Sequence, residues 1–159
     1  IDLGAAPVGI DGCTIPTVAL PLHKLALAMA RFARPDHLPP ARAEACRRLA
    51  AAMRRAPLMI AGHGRLDSVL IEAAGGRILA KGGAEGVQVA MLPEPGVGIA
   101  IKALDGASRA REVALGLALD WLGVLDAALR GRLADFFAPT ILSRRGAVVG
   151  RVAAAAGGF

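Results

Sequence analysis

An α/β (α+β) domain, an antiparallel sheet flanked by helices, is the architecture that two patterns in this chain point to. Three short apolar runs, at residues 77–81, 87–92 and 98–103, are separated only by turns rich in Gly and Pro, as in an antiparallel meander. On either side of them, alanines and leucines recur at helical spacing over long segments punctuated by proline and glycine.

In chain order, residues 4–13 are glycine-rich and extended, and lead through a turn at Pro16 into a helix over residues 19–34. Pro35 and the Pro39-Pro40 pair end that helix and start another at 41–55, with its arginines on the outer face; Pro57 stops it. After the turn at Gly62-His63-Gly64, a short helix covers 67–74 and Gly75-Gly76 closes it. The three strands come next, then a long helix at 107–123 and a shorter one at 126–136. Residues 148–152 read as a last strand. Residues 1–152 are expected to form part of a single domain, with 153–159 a low-complexity tail.

At 159 residues, 55% hydrophobic and with a mean hydropathy of +0.51, the chain can bury a sizeable core but is apolar for a small domain that must also cover itself. That surplus predicts a face meant for something else. The net charge is +6, which raises the question of an acidic partner. Arg31, Arg34, Arg42, Arg47, Arg48, Arg54 and Arg55 are spread over two helices, and there is no Tyr, one Trp and four Phe to stack on bases, so nucleic acid is not an expected partner. Nor is a membrane: the longest apolar candidate, residues 113–125, is interrupted by Asp120. Cys13 and Cys46 are too few for a disulfide framework, no signal-peptide pattern opens these residues, and the cytoplasm is the expected compartment.

Lys81-Gly82-Gly83-Ala84-Glu85-Gly86 carries the most chemistry. It sets one lysine at the end of an apolar strand and follows it with a backbone stripped of side chains, against which a substrate can lie flat. The glycines are expected at a hairpin turn, where positive φ is cheap only for Gly. A lysine before small residues on a sheet strand is similar to the K-T-G element of serine β-lactamases and penicillin-binding proteins, with Gly82 where the hydroxyl residue stands. The same residues also read as a solvated strand-end lysine beside an ordinary turn. Cys13, two residues after Asp11, places a thiol near a carboxylate, a pairing that serves zinc; a lone cysteine packed as a small hydrophobe fits equally well. His63 reads as an exposed turn residue, and Arg65 with Asp67 as an ion pair capping the helix that Asp67 opens. His23 and His37 have no metal-ligand spacing. A Ser-x-x-Lys nucleophile pair is absent, because Lys24, Lys81 and Lys102 are preceded at that distance by Pro21, Ile78 and Ile99.

Five blocks follow one another in this order: Asp11-Gly12-Cys13-Thr14-Ile15-Pro16-Thr17, Ala19-Leu20-Pro21-Leu22, Gly62-His63-Gly64-Arg65-Leu66-Asp67, Lys81 to Gly86, and Asp105-Gly106-Ala107-Ser108-Arg109-Ala110. Together they resemble the C-terminal half of the rhizobial-type L-asparaginases, the asparaginase II family, over residues 8–150. The resemblance implies a fold similar to serine β-lactamases and glutaminases, with about half of the family's polypeptide preceding the Asp-Gly-Cys block and not found here. It implies that Cys13 is a zinc or substrate ligand, the others being a cysteine and a lysine of that preceding half, and that Asp11 supports the site through water. Lys81 stands where the family has the lysine of its second Ser-Lys pair. Gly82 and Gly83 are the matching substrate-binding backbone, and His63 occupies a position where relatives carry a small hydroxyl residue that contacts substrate.

The expected function is therefore hydrolysis of L-asparagine to aspartate and ammonia in the complete protein, this chain being an inactive half. Its expected partners are L-asparagine, the N-terminal half and further copies of itself, and its expected cofactor is zinc held with ligands from that half. Another amidase or peptidase on the same scaffold would use Lys81 equally well. A non-catalytic binding or assembly module is favoured by the absent serine and the apolar surplus.

Overall fold

The computed structural model describes residues 1–155 and has the α+β architecture expected, with antiparallel sheets flanked by helices. The central sheet is the meander, β3 (Leu79–Gly82), β4 (Val87–Leu92) and β5 (Val97–Lys102), in the order β3-β4-β5. Each strand begins or ends within two residues of its expected bounds, because the intervening Gly and Pro turns leave no other place to reverse.

Two hairpins stand apart from this sheet. β1 (Val8–Ile10) pairs with β2 (Pro16–Val18), so the segment expected to be merely extended folds back on itself through Asp11 to Ile15. At the other end, β6 (Thr140–Leu142) pairs with β7 (Val148–Arg151); the sequence pattern showed only the second of these strands. Both hairpins are largely exposed, so neither has the buried alternation that makes a strand readable. Of the expected tail, residues 156–159 lie outside the described residues.

Helices cover both faces of the sheet. α1 (Leu22–Ala33) starts after Pro21 and α2 (Pro40–Arg55) after Pro39, and a single 3-10 turn, Pro35–His37, joins them. Two short helices, α3 (Leu58–Ala61) and α4 (Leu66–Ala73), precede the sheet; α5 (Ser108–Trp121) and α6 (Ala127–Phe137) follow it. Side chains alternate across the strands, which splits the core in two. Ala80, Ala90 and Leu92 meet Leu115, Leu119 and Leu133 of α5 and α6. Leu79 and Met91 meet Met29, Phe32, Ala50 and Met53 of α1 and α2. The approach of α1 is close enough that a Cβ on Gly98 would collide with the backbone Ala26 O and Ala30 N.

The two edges of the sheet differ. Ala103 N–H donates to Gly86 O, which sets the phase of the β4–β5 ladder: Val97, Ile99 and Ile101 bond to β4, and the backbone groups of Gly98, Ala100 and Lys102 point outward. Beside that edge runs an apolar groove of about 770 Å³ between α1 and α5, with Trp121 exposed along it. The β3 edge, by contrast, is capped by a side chain described below.

Candidate functional site

Gly83 N–H donates to Val87 O, so Gly83, Lys81 and Leu79 bond to β4 and the N–H of Gly82 faces the outer edge of β3. Asp67, in the first turn of α4, receives it. Its Oδ2 accepts Gly82 N–H at 2.6 Å and its Oδ1 accepts Gln88 Nε2 at 2.8 Å, with Asp67 only 6% exposed and Gln88 1%. The expected Arg65–Asp67 ion pair does not form among the described residues: Asp67 turns inward to the strand, where it accepts from Gly82 N–H and from the buried Gln88 amide.

From the other side comes Arg111 of α5, 8% exposed, whose Nη1 donates to Gly83 O and Val87 O, each at 2.7 Å. A Cβ on Gly82 would lie 2.7 Å from that Nη1, so a side chain at 82 would push the guanidinium off its carbonyls, and glycine is favoured there by this approach and not by the turn. The positive φ of this hairpin falls instead on Glu85 (52°) and Gly86 (70°). The Nε of Arg111 is buried without a partner.

Lys81, Gly82 and Gly83 are thereby brought together along one cleft of about 470 Å³, whose remaining charged residues are Arg65, Asp67, Arg111 and Glu112. Lys81 is exposed and its Nζ donates to the carbonyl of Gly82. Glu112 is half-buried. That burial holds its carboxyl above the ordinary value of 4.5, against the pull of Arg111 and Arg65 and with a smaller push from Asp67. The cleft thus offers an amine, a carboxyl with raised proton affinity and a guanidinium around a bare strand end. No serine, threonine or cysteine lines it among the described residues.

Sequence reasoning gave no role to Arg111, Glu112 or Gln88. A signal for the first existed: Arg111, Leu115 and Leu119 share one helical stripe, and all three are buried. A charged residue in such a stripe must be paired inside. Gln88 carried a similar sign, as a polar residue in the middle of an apolar sheet.

The other expected site residues lie elsewhere. Cys13 and Asp11 are exposed in the turn of the β1–β2 hairpin, with Cys13 Sγ 3.8 Å from Asp11 Oδ2 and Asp11 Oδ1 taken by Gly12 N–H. The next residue, Thr14, has φ of 68°, a left-handed conformation costly for a β-branched side chain. Zinc needs at least three protein ligands in a converging set, and the described residues contain no cluster of three or more His, Cys, Asp or Glu able to hold a metal. The Cys13–Asp11 pair alone does not fit the ion. His63 is exposed and lines a separate cleft with Ser68 and Glu72. Cys46 is half-buried in α2, and both cysteines are free.

No helix among the described residues is long and apolar enough to cross a membrane. The family model described as L-asparaginase II matches residues 2–154. Comparison with curated proteins finds none that matches. A family match over nearly the whole of the chain, taken with the Asp-Gly-Cys turn and the Lys81 strand end, assigns it an asparaginase-type function: the chain belongs to the L-asparaginase II family.

Proposed function

We propose that this chain carries one wall of the active site of a cytoplasmic L-asparagine amidohydrolase, which releases ammonia and L-aspartate, and that it needs further polypeptide to act. The observation that carries the reading is Lys81 at the mouth of a cleft built around Gly82 and Gly83, in a chain of this family. In the proposed reaction a serine Oγ attacks the side-chain amide carbon, with Lys81 as the base that takes its proton. The C–N bond breaks, the lysine returns the proton to the departing ammonia, and water then releases aspartate from the acyl ester.

That serine is not in this sequence as a Ser-x-x-Lys pair, and none lines the cleft among the described residues. The outward-facing groups of Gly98, Ala100 and Lys102, with the apolar groove beside them, support the same reading, since an added strand would satisfy them. Cys13 is the residue we assign to zinc, as one ligand of a set whose others come from the added polypeptide; Asp11 supports it through water. His63 enters the reading only as a substrate contact made once that polypeptide is in place. The assembled enzyme is a homo-oligomer in this reading.

The test is ammonia release from L-asparagine by the chain alone and by the chain combined with the serine-bearing polypeptide of a family member. Activity is expected only in the combination, and Lys81→Met should reduce it by several orders of magnitude while leaving the fold intact. Robust turnover by the chain alone, or near-normal turnover by the Lys81→Met combination, would overturn the reading.

A further inference from the structure

The charged residues of the Lys81 cleft divide into those already engaged and those left free. Both oxygens of Asp67 hold buried donors, and Nη1 of Arg111 holds two carbonyls. The side chains of Arg65 and Glu112 make no hydrogen bond or ion pair among the described residues. They are near enough for the guanidinium to act on the carboxyl, yet no nitrogen and oxygen of the two come within 4.0 Å. A cation presented just ahead of α4 and an anion presented from α5 therefore face one cleft across a gap.

A molecule that fills such a gap must carry both charges on adjacent centres, with the anion toward Arg65 and the cation toward Glu112. A free α-amino acid does so on a single carbon. A peptide does not, since its α-nitrogen and α-carboxyl are amides except at the two ends. We propose that Arg65 and Glu112 form a zwitterion clamp, Arg65 taking the α-carboxylate and Glu112 the α-ammonium of a free α-amino acid whose side chain extends toward Lys81. The inference rests on the asparaginase reading of the same cleft, and it makes the clamp the reason that free amino acids, not proteins, are the substrates. Asp67 and Arg111 are positioning residues in this arrangement: they fix the strand end on which Lys81 stands.

The experiment is a nuclear magnetic resonance titration of the isotopically labelled chain with L-asparagine, N-acetyl-L-asparagine and L-asparaginamide, following the amides of Gly82 and Gly83. L-asparagine should saturate these signals, and each analogue, lacking one charge, should bind about tenfold or more weakly, the loss expected for one hydrogen bond to a charged group. Glu112→Gln should weaken L-asparagine by a similar factor and leave N-acetyl-L-asparagine unchanged. Arg65→Gln should weaken L-asparagine likewise and leave L-asparaginamide unchanged, while Arg65→Lys recovers part of the loss. Circular dichroism of each variant separates lost binding from lost fold.

Absence of saturation by L-asparagine up to its solubility limit, or equal weakening of all three ligands in a folded variant, overturns the clamp. If the clamp pattern appears but the combined enzyme releases no ammonia, the clamp stands and the asparaginase reading falls. If ammonia is released with a KM indifferent to Arg65→Gln and Glu112→Gln, the reverse holds.

Discussion

Replacing Asp67 with Asn tests how the strand end that carries Lys81 is held. The carboxylate accepts two bonds, from Gly82 N–H at 2.6 Å and Gln88 Nε2 at 2.8 Å, and it is 6% exposed. An asparagine amide has one acceptor oxygen, so it keeps Gly82 N–H and meets Gln88 only if the Gln88 amide turns over to offer its oxygen, giving up its bond to Val89 O. Two charge-assisted bonds, typically about 1.5–3 kcal/mol each, become neutral ones of about 1 kcal/mol each, and the Gln88 bond to Val89 O is lost. The sum is roughly 3 kcal/mol, a large share of the 5–15 kcal/mol that holds an ordinary domain together. Urea unfolding followed by far-ultraviolet circular dichroism should show the midpoint falling at constant slope. Fluorescence is a poor probe here, because Trp121 is 76% exposed. The geometry also predicts a rescue: with Gln88→Glu added, the introduced amide can accept from Gly82 and donate to the new carboxylate, so the double variant should recover most of the loss. A loss below about 0.5 kcal/mol in Asp67→Asn, within the range of ordinary surface substitutions, would refute the capping argument, as would a double variant no better than the single one.

Gly98→Ala should destabilise severely or prevent folding, since its Cβ meets the backbone of α1 and no side-chain rotation relieves it; Gly131→Ala, with nothing within 4 Å on the exposed face of α6, should instead stabilise by up to about 1 kcal/mol, both read by the same urea titration. Glu112→Gln should raise the melting temperature at neutral pH. Because the folded state holds the Glu112 proton above the ordinary value of 4.5, folded molecules bind more protons than unfolded ones in that window, and stability falls as pH rises through it. The advantage of the glutamine variant should therefore vanish below about pH 4.5 and grow above it; an advantage independent of pH would mean that ionisation of Glu112 is not the cause.

The sheet was legible because its signal is redundant. Val87 to Leu92 is apolar on both faces and bounded by glycine and proline, so its limits coincide with the observed strand. Of the hairpin strands only β7 was read; β1, β2 and β6 were not, since Ile10, Ile141 and Leu142 are exposed and an exposed strand has no alternation to read. At the site, Lys81 and the two glycines were visible as a local run, whereas the bonds that support them reach 15 and 28 residues along the chain. Asp67 is such a case: its place in the first turn of α4 suggested a cap, and only the strand docked beside it shows which donors it accepts. Gly82 was read for its backbone freedom when its missing Cβ was what counted. No local pattern announces that a guanidinium fills the space.

The two open questions of the sequence, what Lys81 acts on and what the apolar surplus meets, come together at the sheet. On the β3 edge the chain supplies its own cap at one position, because Asp67 satisfies the outward N–H of Gly82 and so disfavours pairing there. On the β5 edge no such cap is present among the described residues, and an exposed apolar groove lies alongside. A sheet that caps one edge and leaves the other open grows more readily at the open one. The cleft lies on the side where Asp67 holds the strand end. Glu112 shows the same division of labour in energetic form, since a half-buried carboxyl whose burial outweighs the pull of Arg111 and Arg65 costs stability when it ionises. A purely structural position would favour glutamine there, and a charge kept at a cost, facing a cleft beside Lys81, is what a binding group for a cationic substrate centre requires.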